Sequence, residues 1–553
     1  MTTAEDFSRP EDEGTDRPRR RFQPRSAWIA LAAVAVLWVI AAVWGSAKGY
    51  YPCYDSGAYV TVSRALLAGE GYVEGNHPEK PPFIVYPPGY VLPLVAGMRV
   101  WGDDWRALRI ATVIPFGFAA LLLIPWAFEK KLRPWQWAPV ALVIGLGSFY
   151  TYALRIQAEI PYLFWAMLAI GFAGRALAKT RLFTRELLFA IVFTSAALWT
   201  KPMGAILPFL FTVQAAFRAH RIFHDACPGE RDRFLRSLVP FAKAALIGAV
   251  VLAPFAVHLA RIQPDVFSPG TSHLLQKNWW DPDAGQRRLL SVENAKHILA
   301  GLDDALHYYV PWSFLIRQES DWPEEKNRWI ALIGWLVALG LLRTLLRREW
   351  DGFDGFVIAQ ALLICSMPNQ HPRYYTVVLP ALAVSFFGGL TALAEIVSLF
   401  FLGMTAKVRP ALAVFFIFAG SSTLLAYDWG DLRGYRDWGE AWSDRSLNVF
   451  IARALEKRAR TGDILLVDDH YGLHAITGLT AISYHPAQRK SMTGYNTDEY
   501  LARGGRLDLV GAQLPEWDMA EEVFTRYGWE AYDLEETEWY KTARLRRASH
   551  NSH

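Results

Sequence analysis

Apolar positions in this chain come in long runs rather than in narrow stripes. From Ser26 to Tyr427 the runs follow one another closely, and after Tyr427 almost none occur. About 20 consecutive apolar residues cross a bilayer. By that measure about eleven spans are predicted: 27–47, 107–127, 136–151, 158–178, 185–200, 202–217, 238–260, 328–346, 355–367, 374–402 and 410–427. The third, sixth and ninth are short for a bilayer. The first run follows an Arg-rich head (Arg17, Arg19, Arg20, Arg21, Arg25). Its long, Trp-flanked core and the spans behind it read as a retained helix rather than a cleaved signal.

The polar segments between the runs test the count, because basic residues stay on the cytoplasmic side. With the N-terminus inside, the inner segments are 1–26, 128–135, 179–184, 218–237, 347–354 and 403–409. Each is basic: Lys130, Lys131 and Arg133, then Lys179 and Arg181, then Arg218 to Arg236, then Arg347 and Arg348, then Lys407 and Arg409. The outer segments are a long first loop 48–106, the short 152–157 and 368–373, a loop 261–327, and everything from 428 to 553. The fold class expected is a polytopic α-helical membrane protein with a small extracytoplasmic α/β C-terminal domain. Residues 1–25 form a charged, Pro-rich tail expected to be disordered, 26–427 the membrane domain, and 428–553 the outer domain. In that last region "GDILLVDD" (Gly462–Asp469) and "RLDLVGA" (from Arg506) read as strands. "SLNVFIARALEKRAR" and "DMAEEVFTRYG" read as helices.

Composition agrees with this picture. Hydrophobic residues make up 52% of the 553 positions and aromatic ones 14%, too apolar for an ordinary soluble enzyme. The net charge of +4 matters less than its placement. Cys53, Cys227 and Cys365 fall outside, inside and within a span, so no internal disulfide is expected.

The first outer loop opens with "YDSGAYVTVSRALLAGEGY". Asp55 is a good helix N-cap, Ala58, Val62, Ala65 and Leu66 follow at helical spacing, and Gly69 and Gly71 stop the helix. A second helix is expected after "YPPGY" (Tyr86–Tyr90). Both would lie along the membrane surface. Taken alone, Asp55 is a cap. Other charges sit at the same predicted level: Arg155 and Glu159 before the fourth span, Lys201 between the fifth and sixth, and Arg373 at the start of the tenth. Each alone can snorkel. Together they mix acids and bases at one face, and ionisable groups near the hydrocarbon boundary often mark sites. Cations hold a phosphate by charge-assisted hydrogen bonds, and a carboxylate takes a proton from an incoming hydroxyl. Transfer from a lipid phosphate fits that set.

These stretches resemble the GT-C glycosyltransferases, in the branch of the protein O-mannosyltransferases and the lipid A aminoarabinose transferases. The resemblance rests on the Asp55 stretch, "EKPPFIVYPPGYVLPL" (Glu79–Leu94), "IQAEIPYLFWAMLA", "LWTKPMGAILP" and "HPRYYTVVLPALAV", in order from Tyr50 to Ala383. It implies that Asp55 is the catalytic base and Glu159 a second acid that positions acceptor or basic side chains. Lys80, Lys201 and Arg373, with Arg155 and Tyr374 beside them, would contact the donor's phosphate. Ser56 stands where the family often has a second acid. The implied donor is a polyprenyl-phosphate sugar and the implied acceptor lies outside the cell. The setting is the bacterial inner membrane, with the N-terminus cytoplasmic, the bilayer as partner, and no nucleic acid. The sequence shows no required cofactor and no clear metal-ligand set, which leaves a divalent cation open. "KNWWDPDAG" (Lys277–Gly285) reads as an aromatic surface anchor, within a loop expected to form a lid. "HYGLH" (His470–His474) reads as a packed helix end rather than a metal site.

Two rivals remain. A membrane polysaccharide ligase or polymerase would share the spans and the outer basic residues. A transporter would place its charges at mid-membrane and show paired repeats, and neither is evident here.

Overall fold

The apolar runs fold as helices. The computed structural model describes residues 25–46, 54–83, 86–225, 230–262, 292–314, 324–347, 349–365, 372–400, 414–415, 447–468, 470–484 and 497–548. Five helices are long and apolar enough to cross a membrane: Arg25–Ser46, Trp105–Leu122, Glu159–Ala178, Phe234–His258 and Leu379–Ser398. Ala331–Leu346 and Gly352–Cys365 are shorter and apolar. Arg185–Thr200 and Ile206–Asp225 fill the fifth and sixth predicted spans. The eleventh span lies almost wholly outside the described residues, as do the N-terminal tail, the Lys277–Gly285 stretch and the middle of the 261–327 loop.

Two expected spans are broken for local reasons. The second runs as Trp105–Thr112, Ile114–Leu122 and Ile124–Ala127, with Pro115 and Pro125 each in the first turn of a new segment. A proline removes the backbone donor the preceding turn needs. The third breaks at Gly147, between Trp137–Leu146 and Ser148–Ala153. A Cβ at Gly147 would stand 2.7 Å from the Ser313 carbonyl oxygen, so a larger residue would push that chain away. Close helix approach recurs where Gly340 meets the Ser385 backbone and Gly389 meets the Leu336 backbone, the small-residue packing that membrane helices use.

Ion pairs and hydrogen bonds tie separate helices and connecting segments together. Lys131 pairs with Asp354 and lies 3.2 Å from Asp351. Lys243 Nζ donates to the carbonyls of Ala176 (2.6 Å) and Lys179 (2.5 Å). Arg343 and Arg347 share Glu395 at 3.1 and 2.8 Å. The Lys243 contacts satisfy carbonyls at the C-terminal end of helix Glu159–Ala178 that the helix terminus leaves open.

The C-terminal region alternates helix and strand as expected. Helix Leu447–Arg458 leads into β1 (Ile464–Val467), helix His470–Thr477 and β2 (Thr480–Ser483). After β3 (Leu509–Gln513) come helix Trp517–Arg526, β4 (Trp529–Glu536) and β5 (Tyr540–Arg547). The five-stranded sheet has the order β2-β1-β3-β5-β4. β1 is parallel to β2 and β3, and β5 is antiparallel to β3 and β4. Strand alternation splits β1 between two cores, Leu466 on one face and Leu465 and Val467 on the other. β1 and β3 are the two strands read from sequence; β2, β4 and β5 are additions. The β4–β5 hairpin is held by cross-strand charge, with Arg546 on Glu530 at 2.6 Å and Lys541 on Glu536 at 3.3 Å.

Candidate active site

The first loop supplies one wall. Helix Tyr54–Leu67 ends where Gly69 (φ 79°) and Gly71 (φ 94°) take up backbone angles other residues avoid. Asp55 was expected to cap this helix, but it lies within the first turn, where a carboxylate still favours the helix dipole. Its Oδ1 accepts a hydrogen bond from Tyr86 Oη at 2.5 Å. Tyr86 is itself pinned. Its carbonyl accepts from Tyr72 Oη at 2.7 Å, and its ring stacks on Tyr59 at 4.5 Å. Tyr90 then meets Tyr59 edge-on at 5.0 Å.

The Pro-Pro-Gly turn explains how this wall meets the next. Helix Pro88–Trp101 starts with Pro in its first turn, where the missing donor costs nothing. A Cβ on Gly89 would lie 2.4 Å from the Trp199 carbonyl oxygen and 2.7 Å from the Thr200 nitrogen. Only glycine lets this helix rest directly on the end of helix Arg185–Thr200, one residue before Lys201.

The second wall is a helical hairpin. Glu159 is the first residue of Glu159–Ala178, and Lys201 follows the last residue of Arg185–Thr200. The two helices pack side by side and run in opposite directions, so the N-terminus of one lies beside the C-terminus of the other. Each charge complements its own helix dipole, and the two meet: Lys201 Nζ donates to Glu159 Oε1 at 2.6 Å. Both are sheltered, with side chains 14% and 4% exposed. Lys201 Nζ also lies 5.6 Å from the centre of the Tyr374 ring, brought in by the short helix Pro372–Thr376.

Tyr59 lies between the walls. Burial pushes its phenol well above the ordinary value, and the charges of Glu159 and then Asp55 push it further the same way. One buried ring thus feels both carboxylates. Tyr90 is raised by burial too, with Glu159 contributing. Glu159, Lys201 and Tyr374 thus meet at one place, and the Asp55–Tyr86 pair stands beside the Tyr59 ring.

The other expected residues are placed differently. Arg155 lies in the turn before the Glu159 helix, its guanidinium 5.3 Å from the Tyr152 ring centre. Lys80 pairs with Glu70 at 2.5 Å on the exposed side of the first loop. Arg373 falls in helix Pro372–Thr376, and its side chain lies outside the described residues. Sequence reading did not single out Tyr59 and Tyr86. It also missed Arg109. That buried guanidinium donates to the carbonyls of Trp105 (3.2 Å) in its own helix and of Leu154 (3.1 Å) and Ser46 (3.1 Å), tying the ends of helices Ser148–Ala153 and Arg25–Ser46 to it. Among the described residues no group of three or more His, Cys, Asp or Glu side chains is placed to hold a metal ion.

No protein-family model and no curated protein matches the chain. Solved structures do. ArnT from Cupriavidus metallidurans, a lipid A aminoarabinose transferase solved with undecaprenyl phosphate, is similar over 94% of this chain and 98% of its own. The TM-score is 0.57 at 13% identity. The oligosaccharyltransferase AglB from Archaeoglobus fulgidus, solved with an inhibitory peptide and a dolichol-phosphate, is similar over 90% of this chain and 71% of its own. That match has a TM-score of 0.53 at 12% identity. The apo form of the Archaeoglobus enzyme gives 0.53 at 11% identity. At such identities the likeness is one of fold, and it extends over both the helices and the C-terminal sheet. The chain shares the fold of the ArnT and AglB structures.

Proposed function

We propose that the protein is an integral-membrane glycosyltransferase that moves a sugar from a polyprenyl-phosphate carrier to an acceptor on the extracytoplasmic side. The observation that carries this reading is the sheltered Glu159–Lys201 pair beside Tyr374, together with Asp55 held by Tyr86 in the first loop. The undecaprenyl phosphate of the ArnT structure and the dolichol-phosphate of the AglB complex support a lipid-phosphate donor.

The chemistry follows from the charges. Asp55 takes the proton of the acceptor hydroxyl as that oxygen attacks the anomeric carbon. The bond from that carbon to the phosphate oxygen breaks, and polyprenyl phosphate leaves. A single displacement inverts the anomeric centre. The Tyr86 hydroxyl on Oδ1 stabilises the ionised carboxylate. Lys201, with Arg373 from the Tyr374 helix, holds the phosphate as its charge grows. Glu159 holds the Lys201 ammonium in place through their ion pair. The membrane unit is taken as residues 26–427 and the outer domain as 428–553, with the N-terminus cytoplasmic in a bacterial inner membrane.

A panel of radiolabelled donors tests the reading. Purified protein in lipid discs is incubated with a water-soluble cell-envelope extract as acceptor source and, in turn, polyprenyl-phosphate sugars, polyprenyl-diphosphate sugars and sugar nucleotides. Label should leave the organic phase for the first class. Consumption of sugar nucleotides, or of none of the three, would sink the proposal.

A further inference from the structure

The C-terminal domain reaches the Asp55 helix directly. A Cβ on Gly57, two residues from Asp55, would lie 2.7 Å from the Gly472 nitrogen and 2.7 Å from the Tyr471 carbonyl carbon. Backbone thus meets backbone across this contact. Tyr471 and Ala475, from helix His470–Thr477, are buried in the core of the membrane domain rather than in either core of their own sheet. Phe83 packs edge-on against Tyr471 at 6.2 Å and lies 6.0 Å from Tyr86, the residue that holds Asp55.

Further contacts along the first loop repeat the attachment. The Asn76 carbonyl accepts from Ala481 nitrogen at 2.9 Å, and Asn76 Nδ2 donates to the Ala481 carbonyl at 3.2 Å, so the loop pairs with β2. Arg503 bridges to Glu79 at 2.6 Å. Arg64, from the Asp55 helix itself, donates to the His474 carbonyl at 3.2 Å while pairing with Asp103 at 2.5 Å. The Glu159–Lys201 pair stands on the helical hairpin and makes none of these contacts.

We infer that the C-terminal domain is a positioning element for Asp55. Gly57 and Gly472 form the seat, and the Asn76–Ala481 and Arg503–Glu79 contacts hold the loop onto it. The domain sets where the carboxylate stands relative to Tyr86 and to the phosphate-holding pair. This rests on the proposal that Asp55 is the base. Loosening the seat should lower kcat and leave the donor KM near its original value, because the phosphate-holding groups stand on other elements. The proton step should also change. Asp55 accepts from Tyr86, whose ring stacks on Tyr59. Pulled from the Tyr86 hydroxyl, it becomes easier to protonate.

The test compares Gly57→Ala with the wild type and with Asp55→Asn, in the full-length protein. Thermal unfolding and monodispersity are recorded first. Gly57→Ala should lose about tenfold or more in kcat, with donor KM within about twofold. The acid limb of its pH profile should move to higher pH. A loss of folded protein alone would lower the amplitude and leave that limb in place. If Gly57→Ala does not fold, the exposed Arg503–Glu79 pair gives a second reading. Glu79→Arg and Arg503→Glu should each lower kcat, and the double exchange should restore it. Wild-type kcat and pH profile in folded Gly57→Ala would overturn the inference, and so would an exchange pair whose activities do not recover. If Asp55→Asn is active, the base assignment fails instead. If Asp55→Asn is dead while Gly57→Ala is normal, only the positioning role fails.

Discussion

At the scale of residues, the site is built from charges that stood out in the sequence and phenols that did not. Asp55, Glu159 and Lys201 were legible because a charge beside an apolar run contrasts with its surroundings. Tyr86 and Tyr59 gave no such contrast, since tyrosines at a membrane boundary ordinarily anchor. Arg109 was invisible because its partners are backbone carbonyls, which no sequence pattern reveals. Tyr86 carries the first prediction. Hydrogen bonds to charged groups are worth about 1.5–3 kcal/mol, so Tyr86→Phe should lower kcat/KM about tenfold. The carboxylate, having lost a donor to its charged form, protonates more readily, and the acid limb of kcat/KM should move to higher pH. A profile that does not move would show that Tyr86 leaves the base unaffected. Lys201 and Glu159 carry the second. Removing one partner of a sheltered ion pair costs about 3–5 kcal/mol, because the other charge is left buried. Lys201→Met should therefore unfold at clearly lower temperature, and Lys201→Met with Glu159→Gln should recover most of that loss. Both variants should fail to turn over donor. A double variant no more stable than the single one would show that the pair is not coupled.

At the scale of elements, length and apolar runs located the helices, but interruptions within them depended on packing. The breaks around Pro115 and Pro125 and at Gly147 fall inside stretches whose hydropathy never wavers. β4 and β5 were missed for the opposite reason. Their exposed, charged faces hide the alternation that marks a strand, and the pairing of Arg546 with Glu530 exists only once they are side by side. The Pro-Pro-Gly turn shows how one element fixes another. Gly89 rests on main chain at Trp199 and Thr200, so no flexible side chain is there to yield. Overpacking typically costs about 1–3 kcal/mol. Gly89→Ala should lower the unfolding temperature and also raise the donor KM, because the displaced chain leads directly into Lys201. Thermal unfolding and donor titration check both, and an unchanged KM would separate this turn from the site.

At the scale of the molecule, the helical unit and the small α/β unit were both readable from where apolar runs stop, near Tyr427. Their interlocking was not, because it runs through Gly57, Asn76 and His77, residues with no periodic pattern. His77 gives this interface a pH dependence. Burial, with Arg503 adding to it, pushes the imidazole from 6.5 down to about 4. Its Nδ1 accepts from the Glu79 nitrogen at 3.2 Å and stacks the neutral ring edge-on to Tyr500. The folded state thus binds fewer protons than the unfolded one between these values. The contribution is complete above about 6.5 and declines as pH falls toward 4, by up to about 3 kcal/mol. Protection factors in residues 70–83, taken against the intrinsic exchange rate at each pH, should fall between pH 7.5 and 5, and His77→Gln should abolish that fall; protection factors unchanged with pH in the wild type would contradict this. The central claim concerns Asp55, and one assay addresses it most directly. Wild type and Asp55→Asn, both inserted and folded in lipid discs, are given the same radiolabelled polyprenyl-phosphate sugar and acceptor. The account predicts that the wild type transfers label and that Asp55→Asn retains the donor intact at about a thousandth of the rate or less. Turnover by Asp55→Asn at the wild-type rate would contradict it.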